Sequence, residues 1–326
     1  MKLFEVGELS LVEKLRKKFK KNVPGLILGI GDDAAVIRSA DGLTVITSDM
    51  MVQDVHFNLS WTTAYQLGFK LVSVNVSDIY AMGARPHFLL INFAAHKDTD
   101  AAFFDQFYDG IEEALHVYNL SLIGGDVVSS DHVVLSASVI GSAIHTVSRK
   151  GARIGDKIYV TGQIGDASCG LALMKKIGMP VVIEKGIESK LPLEKDIIVP
   201  LIKRHLMPEA RNPEQYAPSA TAMIDISDGL FIDLFRLCRE SGVGANIYKE
   251  RIPVSQELIA ASQYLGMSPD TLITGGEDYE LLFTAPENSA FDACCIGEIA
   301  KSGMKIIDKK GKTHNLEARG YRHFDA

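Results

Sequence analysis

Six times along this chain of 326 residues, an apolar run rich in β-branched residues ends in a carboxylate flanked by glycine or serine. Surface carboxylates normally fall on the polar face of an amphipathic element, whereas several of these fall where a buried strand would emerge. α/β proteins place functional groups at such positions. The runs end at Asp32-Asp33, Asp49, Asp78, Asp126, Asp225 to Asp228, and Glu277-Asp278.

Any one of these acids could be a helix N-cap or a turn residue, because Asp and Gly serve both purposes well. Six together weaken that interpretation. Two like charges ~4 Å apart repel by about 4 kcal/mol at an effective dielectric near 20, so a convergent set requires cations. Oxygen ligands without His or Cys favour Mg²⁺ or a similar hard ion, which readily shares its shell with phosphate oxygens. The pattern therefore predicts a site for a nucleotide or a phosphorylated substrate.

The composition excludes several other kinds of protein. With 47% apolar residues, the chain can bury a core, and its length suits two domains of roughly 100–200 residues. No apolar run approaches the ~18 residues that cross a bilayer, and we expect no secretion signal in the charged N-terminal stretch. A net charge of −7 without a long basic block argues against extended nucleic-acid binding. Four cysteines without zinc-type spacing indicate reduced thiols in a cytoplasmic protein.

Hydrophobic periodicity predicts a mixed α/β (α+β) fold of two domains, each a mixed sheet packed with helices. In the first half we expect strands near 26–30, 35–38, 43–48, 87–94, 120–123 and 132–144, with helices over 62–82 and 100–118. In the second half we expect strands over 157–161, 221–226 and 279–284, two short C-terminal strands, and helices over 167–177, 194–206 and 230–240. Glycine and charge between Arg149 and Asp156 predict the boundary, giving domains 1–149 and 150–326.

Within the first predicted helix, Asn75 and Asp78 share a face with the apolar Leu71 and Met82. A polar pair inside an apolar stripe indicates that Asp78 faces a site instead of bulk water.

Two motifs resemble common nucleotide-binding loops, but each lacks a feature that such a loop needs in order to bind phosphate. Gly29-x-Gly31-x-x-Ala34 is similar to the dinucleotide-binding fingerprint, but Asp32 and Asp33 would repel a pyrophosphate at a helix N-terminus unless Mg²⁺ lay between. Lys310-Gly-Lys-Thr313 lacks the earlier glycine of a phosphate-binding loop, so we expect a polar turn between strands there.

The ordered set of motifs resembles the thiamine-monophosphate kinases, a family within the aminoimidazole-ribonucleotide synthetase-like ATP-binding superfamily. The resemblance runs from Gly7 to Phe324 and so covers nearly the whole chain. Each motif is weak alone, and their order makes the set specific. The motifs are Gly29-Ile-Gly-Asp-Asp33, Thr47-Ser-Asp49, Val55-His56-Phe57, Asn75-Val-Ser-Asp78, Ala81-Met-Gly-Ala-x-Pro86, Gly124-Gly-Asp126, Arg149-x-Gly-Ala-x-x-Gly-Asp156, Arg204-His-Leu-x-Pro208, Asp225-Ile-Ser-Asp-Gly229, Gly275-Gly-Glu-Asp-Tyr-Glu-Leu281 and Gly320-Tyr321-x-His323-Phe324.

That family transfers the γ-phosphoryl group of ATP to thiamine monophosphate, giving thiamine diphosphate, with several Mg²⁺ ions and no phosphoenzyme. The resemblance implies direct in-line transfer here, with no covalent protein nucleophile, with Mg²⁺ as cofactor and with ATP as co-substrate. It also implies a role in thiamine diphosphate biosynthesis, a homodimer formed through the N-terminal sheets, and no nucleic-acid or membrane partner.

The resemblance assigns three groups of site residues. Metal ligands would be Asp33, Thr47, Ser48, Asp49, Asp78, Asp126 and Asp225, with Asp228 holding a further ion. Nucleotide contacts would come from Tyr108, Gly125, Asp126, Arg149 and Ser227. Acceptor contacts would come from His56, Glu277 and Tyr321, with Glu277 neutralising a cationic part of thiamine and Tyr321 stacking on a ring.

Some choices stay open at this point. The sequence does not decide between Thr47 and Ser48, or between Asp32 and Asp33, as ligands, and the remaining histidines, including His205, are interpreted as structural.

Two other functions are considered: an ATP-dependent ligase or synthetase of the same superfamily, and a catalytically silent nucleotide-binding protein. A selenophosphate synthetase would need an N-terminal reactive cysteine, and no cysteine precedes Cys169. A silent protein would show gaps in the acidic set, and the set is complete.

Overall fold

Two mixed sheets organise the computed structural model, which describes residues 25–29, 31–39, 42–179, 181, 193–287 and 291–323, together with Glu13 and Lys17. The motif residues Gly7 and Phe324, and most of the charged N-terminal stretch, lie outside the described residues.

The first sheet lies entirely in the N-terminal half. Its strands are β1 (Leu26–Leu28), β2 (Ala35–Ser39), β3 (Gly42–Val52), β4 (Arg85–Ala95), β5 (Ser121–Ser129) and β6 (Val134–Ala143), in the order β1-β2-β3-β6-β4-β5. Strands β4 and β5 pair in parallel and the other neighbours pair antiparallel, which makes the sheet mixed.

The second sheet lies entirely in the C-terminal half. Its strands are β7 (Lys157–Val160), β8 (Ala222–Asp225), β9 (Gly244–Tyr248), β10 (Leu281–Ala285), β11 (Cys294–Ala300), β12 (Met304–Ile307) and β13 (Thr313–Asn315), in the order β13-β12-β9-β11-β7-β10-β8. Strands β9 and β12 pair in parallel among antiparallel neighbours, so this sheet is mixed too. The Lys310-Gly-Lys-Thr313 motif lies in the β12–β13 connection, as predicted.

Helices cover both sheets. They are α1 (Ala64–Ala81), α2 (Ala101–Tyr118), α3 (Asp166–Ile177), α4 (Lys195–Leu206), α5 (Leu230–Ser241), α6 (Gln256–Leu265) and the short α7 (Pro269–Leu272). The predicted helices and strands are confirmed to within a few residues, apart from β3 and β5, which continue past their predicted ends. Strand β9 and helices α6 and α7 are absent from the prediction, and the prediction of two strands at the C-terminal end is wrong, because β11, β12 and β13 lie there. The strand β9 begins at a glycine and gains its pairing from β11 and β12, which local periodicity does not reveal.

Helix α1 is the central element of the N-terminal half and is buried over most of its surface. A reciprocal capping box begins it: the Thr63 hydroxyl accepts a bond from the Gln66 N–H, and the Gln66 side chain accepts one from the Thr63 N–H. A Cβ on Gly68 would lie 2.0 Å from the Phe107 carbonyl oxygen, so glycine allows α1 and α2 to pack in backbone contact. This burial fixes the polar residues that α1 directs towards the site.

The two halves share one apolar core. Buried residues of α1 and the first sheet belong to the same cluster as Leu201 and Ile202 of α4 and Leu173 of α3. A second cluster fills the space between α5 and the second sheet. None of the helices in the described part of the chain is long and apolar enough to cross a membrane.

Candidate active site

Three carboxylates from separate parts of the chain meet where the two halves join. Asp33 lies in the β1–β2 connection, Asp78 in the last turn of α1, and Asp225 at the end of β8. One carboxylate oxygen from each lies within 4.8 Å of the other two. Asp33 and Asp225 are buried, and Asp78 is half-buried. We call Asp33, Asp78 and Asp225 the acid cluster.

Hydroxyl groups fix two members of the acid cluster. Thr47 Oγ1, on β3, donates to Asp78 Oδ2 at 2.5 Å, and Ser77 Oγ, on α1, donates to Asp225 Oδ2 at 2.7 Å. The second bond joins the N-terminal helix to the C-terminal sheet. Thr47 is buried against the cluster, whereas Ser48 points to the other face of β3 and donates to the Ala137 carbonyl. The structure therefore places the Thr47 side chain, and not that of Ser48, beside the acids.

Asp49 adjoins the acid cluster. Its backbone N–H donates to Asn75 Oδ1 at 2.9 Å, and Asn75 Nδ2 donates to the Leu71 carbonyl, so the polar face predicted on α1 holds β3 in place. Burial, together with Asp228 and Asp33, raises the pKa of Asp49 to about 6. Asp49 therefore lies next to the acid cluster and also lines the cleft described below.

The repulsion between acids that the sequence predicts appears as raised pKa values in the acid cluster. Burial and the neighbouring Asp49 raise the pKa of Asp78 well above its ordinary value. Burial and Asp33 raise the pKa of Asp225 in the same way. Carboxylates that are desolvated next to like charges favour protonation unless a cation is bound. Three convergent, partly ionised oxygen donors without His or Cys form the ligand set that a hard divalent ion such as Mg²⁺ takes in proteins, so these residues fit the implied metal.

Arg149 lies against the acid cluster. Its guanidinium donates to both oxygens of Asp33, from Nε at 3.0 Å and from Nη2 at 2.6 Å, and its backbone N–H lies 3.3 Å from both oxygens of Asp32. Burial alone would lower the pKa of Arg149, but Asp33 and Asp32 raise it above its ordinary value. Burial and Asp33 raise the pKa of Asp32 to about 7. A fixed guanidinium beside a metal-type cluster can also meet a phosphate.

A cleft of about 1110 Å³ extends from Asp49. It is lined by all three of the residues that the sequence assigns to the acceptor, His56, Glu277 and Tyr321, although they lie far apart in the chain. Ser227 and Asp228 line the same cleft. His56 Nδ1 accepts the Val52 N–H at 3.1 Å; burial, and then His323, lower the pKa of His56, so its ring is neutral at neutral pH. The acid cluster and the cleft therefore meet at Asp49.

Glu277 is held from two sides by residues to which the sequence analysis assigned no role in the site. Lys70 Nζ, on α1, lies 2.9 Å from Glu277 Oε1, and His205 Nδ1, on α4, lies 2.8 Å from Glu277 Oε2. We call these three residues the Glu277 clamp. Burial alone would raise the pKa of Glu277, but Lys70 and His205 lower it below its ordinary value. The interpretation of His205 as merely structural missed this contact; a lysine within the apolar stripe of a predicted helix was the available signal.

Asp228 is already paired in this structure. Its Oδ2 lies 2.6 Å from Arg236 Nη1, which also bonds Asp233 Oδ1 at 2.7 Å. The Asp228 carbonyl accepts the Tyr321 N–H at 2.9 Å, which brings the C-terminal segment to the cleft. The Ser227 carbonyl accepts the Glu277 N–H at 2.7 Å. The loop after β8 thus connects predicted metal, nucleotide and acceptor residues.

Asp126 lies apart from the acid cluster. The registers place Asp49, Ala137, Ile91 and Gly125 in one row across β3, β6, β4 and β5, which is three strand spacings, or about 14 Å along the sheet. Asp126 belongs to the next row, so its side chain lies on the opposite face and is exposed.

Two further residues that the resemblance assigns to the nucleotide are Gly125, next to Asp126 on β5, and Tyr108, on α2. A Cβ on Gly125 would lie 1.7 Å from the Ile91 carbonyl oxygen, so the pairing of β4 with β5 itself requires glycine there. Tyr108 packs on Phe104 and Phe107, with ring centroids 4.7 and 5.3 Å apart. Within one chain, therefore, the structure separates Gly125 and Asp126, on the edge strand β5, from the acid cluster.

Comparison with known proteins identifies the domains and the relatives of this chain. Residues 31–143 match the family model described as AIR synthase related protein, N-terminal domain, and residues 153–308 match the corresponding C-terminal domain. The thiamine-monophosphate kinase of Aquifex aeolicus is 34% identical over 330 aligned positions, covering 99% of this chain and 100% of that protein. The thiamine-monophosphate kinase of Mycobacterium tuberculosis is 33% identical, covering 94% of this chain and 86% of that protein.

A solved structure shows the same relationship in three dimensions. It is described as AaThiL complexed with AMPPCP and TMP, and it superposes with a TM-score of 0.86 at 32% identity, covering 99% of each chain. The fold is therefore that of two AIR synthase related domains, as the sequence predicted.

Proposed function

The chain belongs to the thiamine-monophosphate kinase family of AIR synthase related proteins, and from that membership we propose that it phosphorylates thiamine monophosphate with ATP. The observation that carries the proposal is the junction at Asp49, where an acid cluster suited to divalent ions opens into a cleft lined by His56, Glu277 and Tyr321. A phosphoryl transfer needs this arrangement, because donor and acceptor must align where negative charge is neutralised.

In this proposal, Asp33, Asp78, Asp225 and Asp49 hold Mg²⁺ together with the Thr47 side chain, and Asp228 holds a further ion. Bound Mg²⁺ would neutralise the phosphate oxygens and orient the nucleotide for in-line transfer to the acceptor phosphate. Arg149 and Ser227 bind the nucleotide phosphates. Because the transfer is direct, it requires no protein side chain as a nucleophile. His56 and Tyr321 line the acceptor end of the cleft, and Glu277 fixes the orientation of the acceptor there.

We propose that two copies pair through the N-terminal sheets. The sheet face that bears Asp126 also exposes Met50, Phe88 and Val128, at 54%, 46% and 53%, which is apolar surface suited to a second copy. Strand β5 is an edge strand exposed along its whole length. In such a dimer, Tyr108, Gly125 and Asp126 would serve the nucleotide bound by the partner's acid cluster, which would account for the distance between Asp126 and the cluster of its own chain.

We also propose that the chain forms two domains, residues 1–149 and residues 150–326, and that the protein is located in the cytoplasm. Strand β6 ends at Ala143 and β7 begins at Lys157, so a boundary after Arg149 falls between the sheets. Cys169 and Cys238 are buried free thiols, which suits a reducing compartment.

The direct test incubates the protein with MgCl₂, ATP and thiamine monophosphate and measures thiamine diphosphate by chromatography. The proposal expects stoichiometric thiamine diphosphate and ADP, dependent on Mg²⁺. ADP formed only with an amidine-bearing ribonucleotide would favour a ligase instead, and nucleotide binding without any turnover would favour a silent protein.

Mixing variants tests the shared site. Asp78→Asn and Asp126→Asn proteins should each be inactive alone, because every site then lacks one acid. Mixed and allowed to exchange subunits, they should form hybrids in which one site carries both substitutions and the other is intact, so that activity returns to roughly a quarter of wild type at equal mixing. Absence of recovery despite hybrid formation by native mass spectrometry would contradict the shared site.

A further inference from the structure

Lys70 carries a buried charge, and burying an ammonium group costs free energy that an apolar residue would not cost. It lies in the second turn of α1, its side chain is 3% exposed, and Leu67, Leu71 and Val74 around it are buried apolar residues. A buried ammonium persists when an opposite charge compensates it, and here Glu277 Oε1 lies 2.9 Å away. An apolar residue at position 70 would pack on α1 without that cost, so folding alone does not explain the lysine.

His205 completes the contact from a third element. It is 4% exposed at the end of α4, and its Nδ1 lies 2.8 Å from Glu277 Oε2. Burial, and then Lys70, lower the pKa of His205, so the ring is neutral at neutral pH, and Nδ1 is the ring nitrogen that faces the carboxylate. Both oxygens of Glu277 are therefore engaged by side chains from outside its own loop.

The Glu277 backbone is fixed separately. Glu277 and Tyr279 have φ of 70° and 49°, in the left-handed region that non-glycine residues seldom adopt. The loop is held by the Glu277 N–H bond to Ser227 and by Asp278, whose carboxylate accepts the Gly165 and Ala167 N–H groups at 2.7 and 3.1 Å. A rigid and strained backbone of this kind is typical of functional sites. It leaves the direction of the Glu277 side chain to Lys70 and His205.

Helix α1 sets the distance from the clamp to the acid cluster. Lys70 and Asp78 are eight residues apart, which is about 12 Å along the helix axis, and Val74 between them also lines the cleft. The acceptor phosphate must lie near Asp78, so the clamp lies where the part of the acceptor remote from its phosphate would bind. Because Lys70 compensates the charge of Glu277, the carboxylate offers directional acceptor oxygens more than net charge for a cationic ring.

We propose that Lys70 and His205 are positioning residues that orient Glu277 for the ring portion of the phosphorylated acceptor, and so determine acceptor specificity. This inference rests on the proposed function. The clamp joins α1 to α4 and to the 275–279 loop, so acceptor recognition depends on the packing of the two halves against each other.

The test measures steady-state kinetics with thiamine monophosphate and ATP varied separately. Lys70→Met should raise the KM for thiamine monophosphate about 10-fold or more, and leave kcat and the KM for ATP within about two-fold. His205→Leu should act in the same direction, and His205→Asn, whose amide can donate from the Nδ1 position, should restore most of the acceptor affinity. Lys157→Met is the matched control: it removes a lysine paired with Glu298 in the second sheet, and all constants should stay at wild type.

A double variant distinguishes positioning from independent contact. If Lys70 acts through Glu277, adding Lys70→Met to Glu277→Gln should change the acceptor KM little further, whereas independent contacts would multiply their effects. An acceptor KM for Lys70→Met within two-fold of wild type, or multiplying effects, would overturn the inference while the kinase activity stands. Wild-type protein that makes no thiamine diphosphate would overturn the proposed function first. Should Lys70→Met fail to fold by circular dichroism, the His205→Leu and His205→Asn pair decides the question.

Discussion

The acid cluster and the Glu277 clamp both hold charges largely out of solvent, yet they offset the cost of burial in opposite ways. In the cluster, like charges from three elements meet and the pKa values of Asp78 and Asp225 rise. In the clamp, a lysine and a histidine surround one carboxylate and its pKa falls. Within the cluster Arg149 bonds only Asp33, so a cation from solution is still needed to balance the remaining charge, whereas the clamp is complete within the chain.

This difference indicates that the two regions have different roles: the acid cluster binds metal and phosphate, and the Glu277 clamp holds a fixed geometry. A site that lacks its cation can bind a metal and a phosphate and release them again during each cycle. A site whose charges already balance is suited to fixed geometry, because removing either charged partner leaves the other charge unpaired. Substitutions in the two regions should accordingly fail in different ways.

The largest effect is expected for Asp78→Asn. An amide cannot replace a metal-binding carboxylate, so kcat should fall on the order of 10³-fold, measured as thiamine diphosphate formed per minute. Without metal the variant should unfold at the same temperature as wild type or higher, because a buried like charge is removed while an amide oxygen can still accept the Thr47 bond.

The control for that variant is Asp131→Asn, which changes an exposed carboxylate in the β5–β6 turn and should leave rate and stability unchanged. If Asp78→Asn retained a rate near that of wild type, Asp78 would not belong to the metal-binding set.

A smaller effect of a different kind is expected for Glu277→Ala. It should chiefly raise the KM for thiamine monophosphate, with kcat at saturation changed only a few-fold, and it should lower the unfolding temperature because Lys70 becomes a buried charge without its partner. Differential scanning fluorimetry and initial rates measure both. An effect confined to the KM for ATP would contradict the contrast between the two regions.

The smallest effect is a pH dependence of stability. In the metal-free protein the pKa of Asp49 is raised to about 6 and that of Asp32 to about 7, so the folded state holds protons that the unfolded chain has already released. The free energy of unfolding should therefore fall as pH rises from about 4 to about 7. The lowered pKa of Glu277 has the opposite sign: its contribution is present above its ordinary pKa and is lost only on acidification.

Mg²⁺ replaces those protons, so its stabilising effect should grow from about pH 5 to about pH 8. Unfolding temperatures in EDTA and in MgCl₂ across that range measure the trend. A stabilisation by Mg²⁺ that is independent of pH would mean that the ion binds elsewhere.

Much of the fold and cluster follows from local sequence pattern. Carboxylates at the ends of apolar runs indicate Asp33, Asp49, Asp78 and Asp225 before any geometry is known, because caps and turns do not readily explain six such acidic ends together. The polar pair Asn75 and Asp78 on an apolar helix face predicted the direction in which α1 presents its carboxylate.

Other features depend on register and tertiary contacts. The opposite face of Asp126 follows from the pairing of β4 with β5, which contains a register shift between Leu89 and Leu90 that no periodicity reveals. Lys70 and His205 meet Glu277 only because α1, α4 and the 275–279 loop converge. A lone histidine and a lysine in a helix have many ordinary roles, so their partnership becomes visible only in three dimensions.

The central claim is that dispersed acids form one site that accepts phosphate only together with divalent cations. Isothermal titration calorimetry of AMPPCP into the protein, with MgCl₂ and with EDTA, tests it directly. Binding should be strong with MgCl₂ and undetectable in EDTA, and Asp78→Asn should abolish the binding seen with MgCl₂. Equal binding of AMPPCP in EDTA, or full binding by the Asp78→Asn protein, would contradict the account.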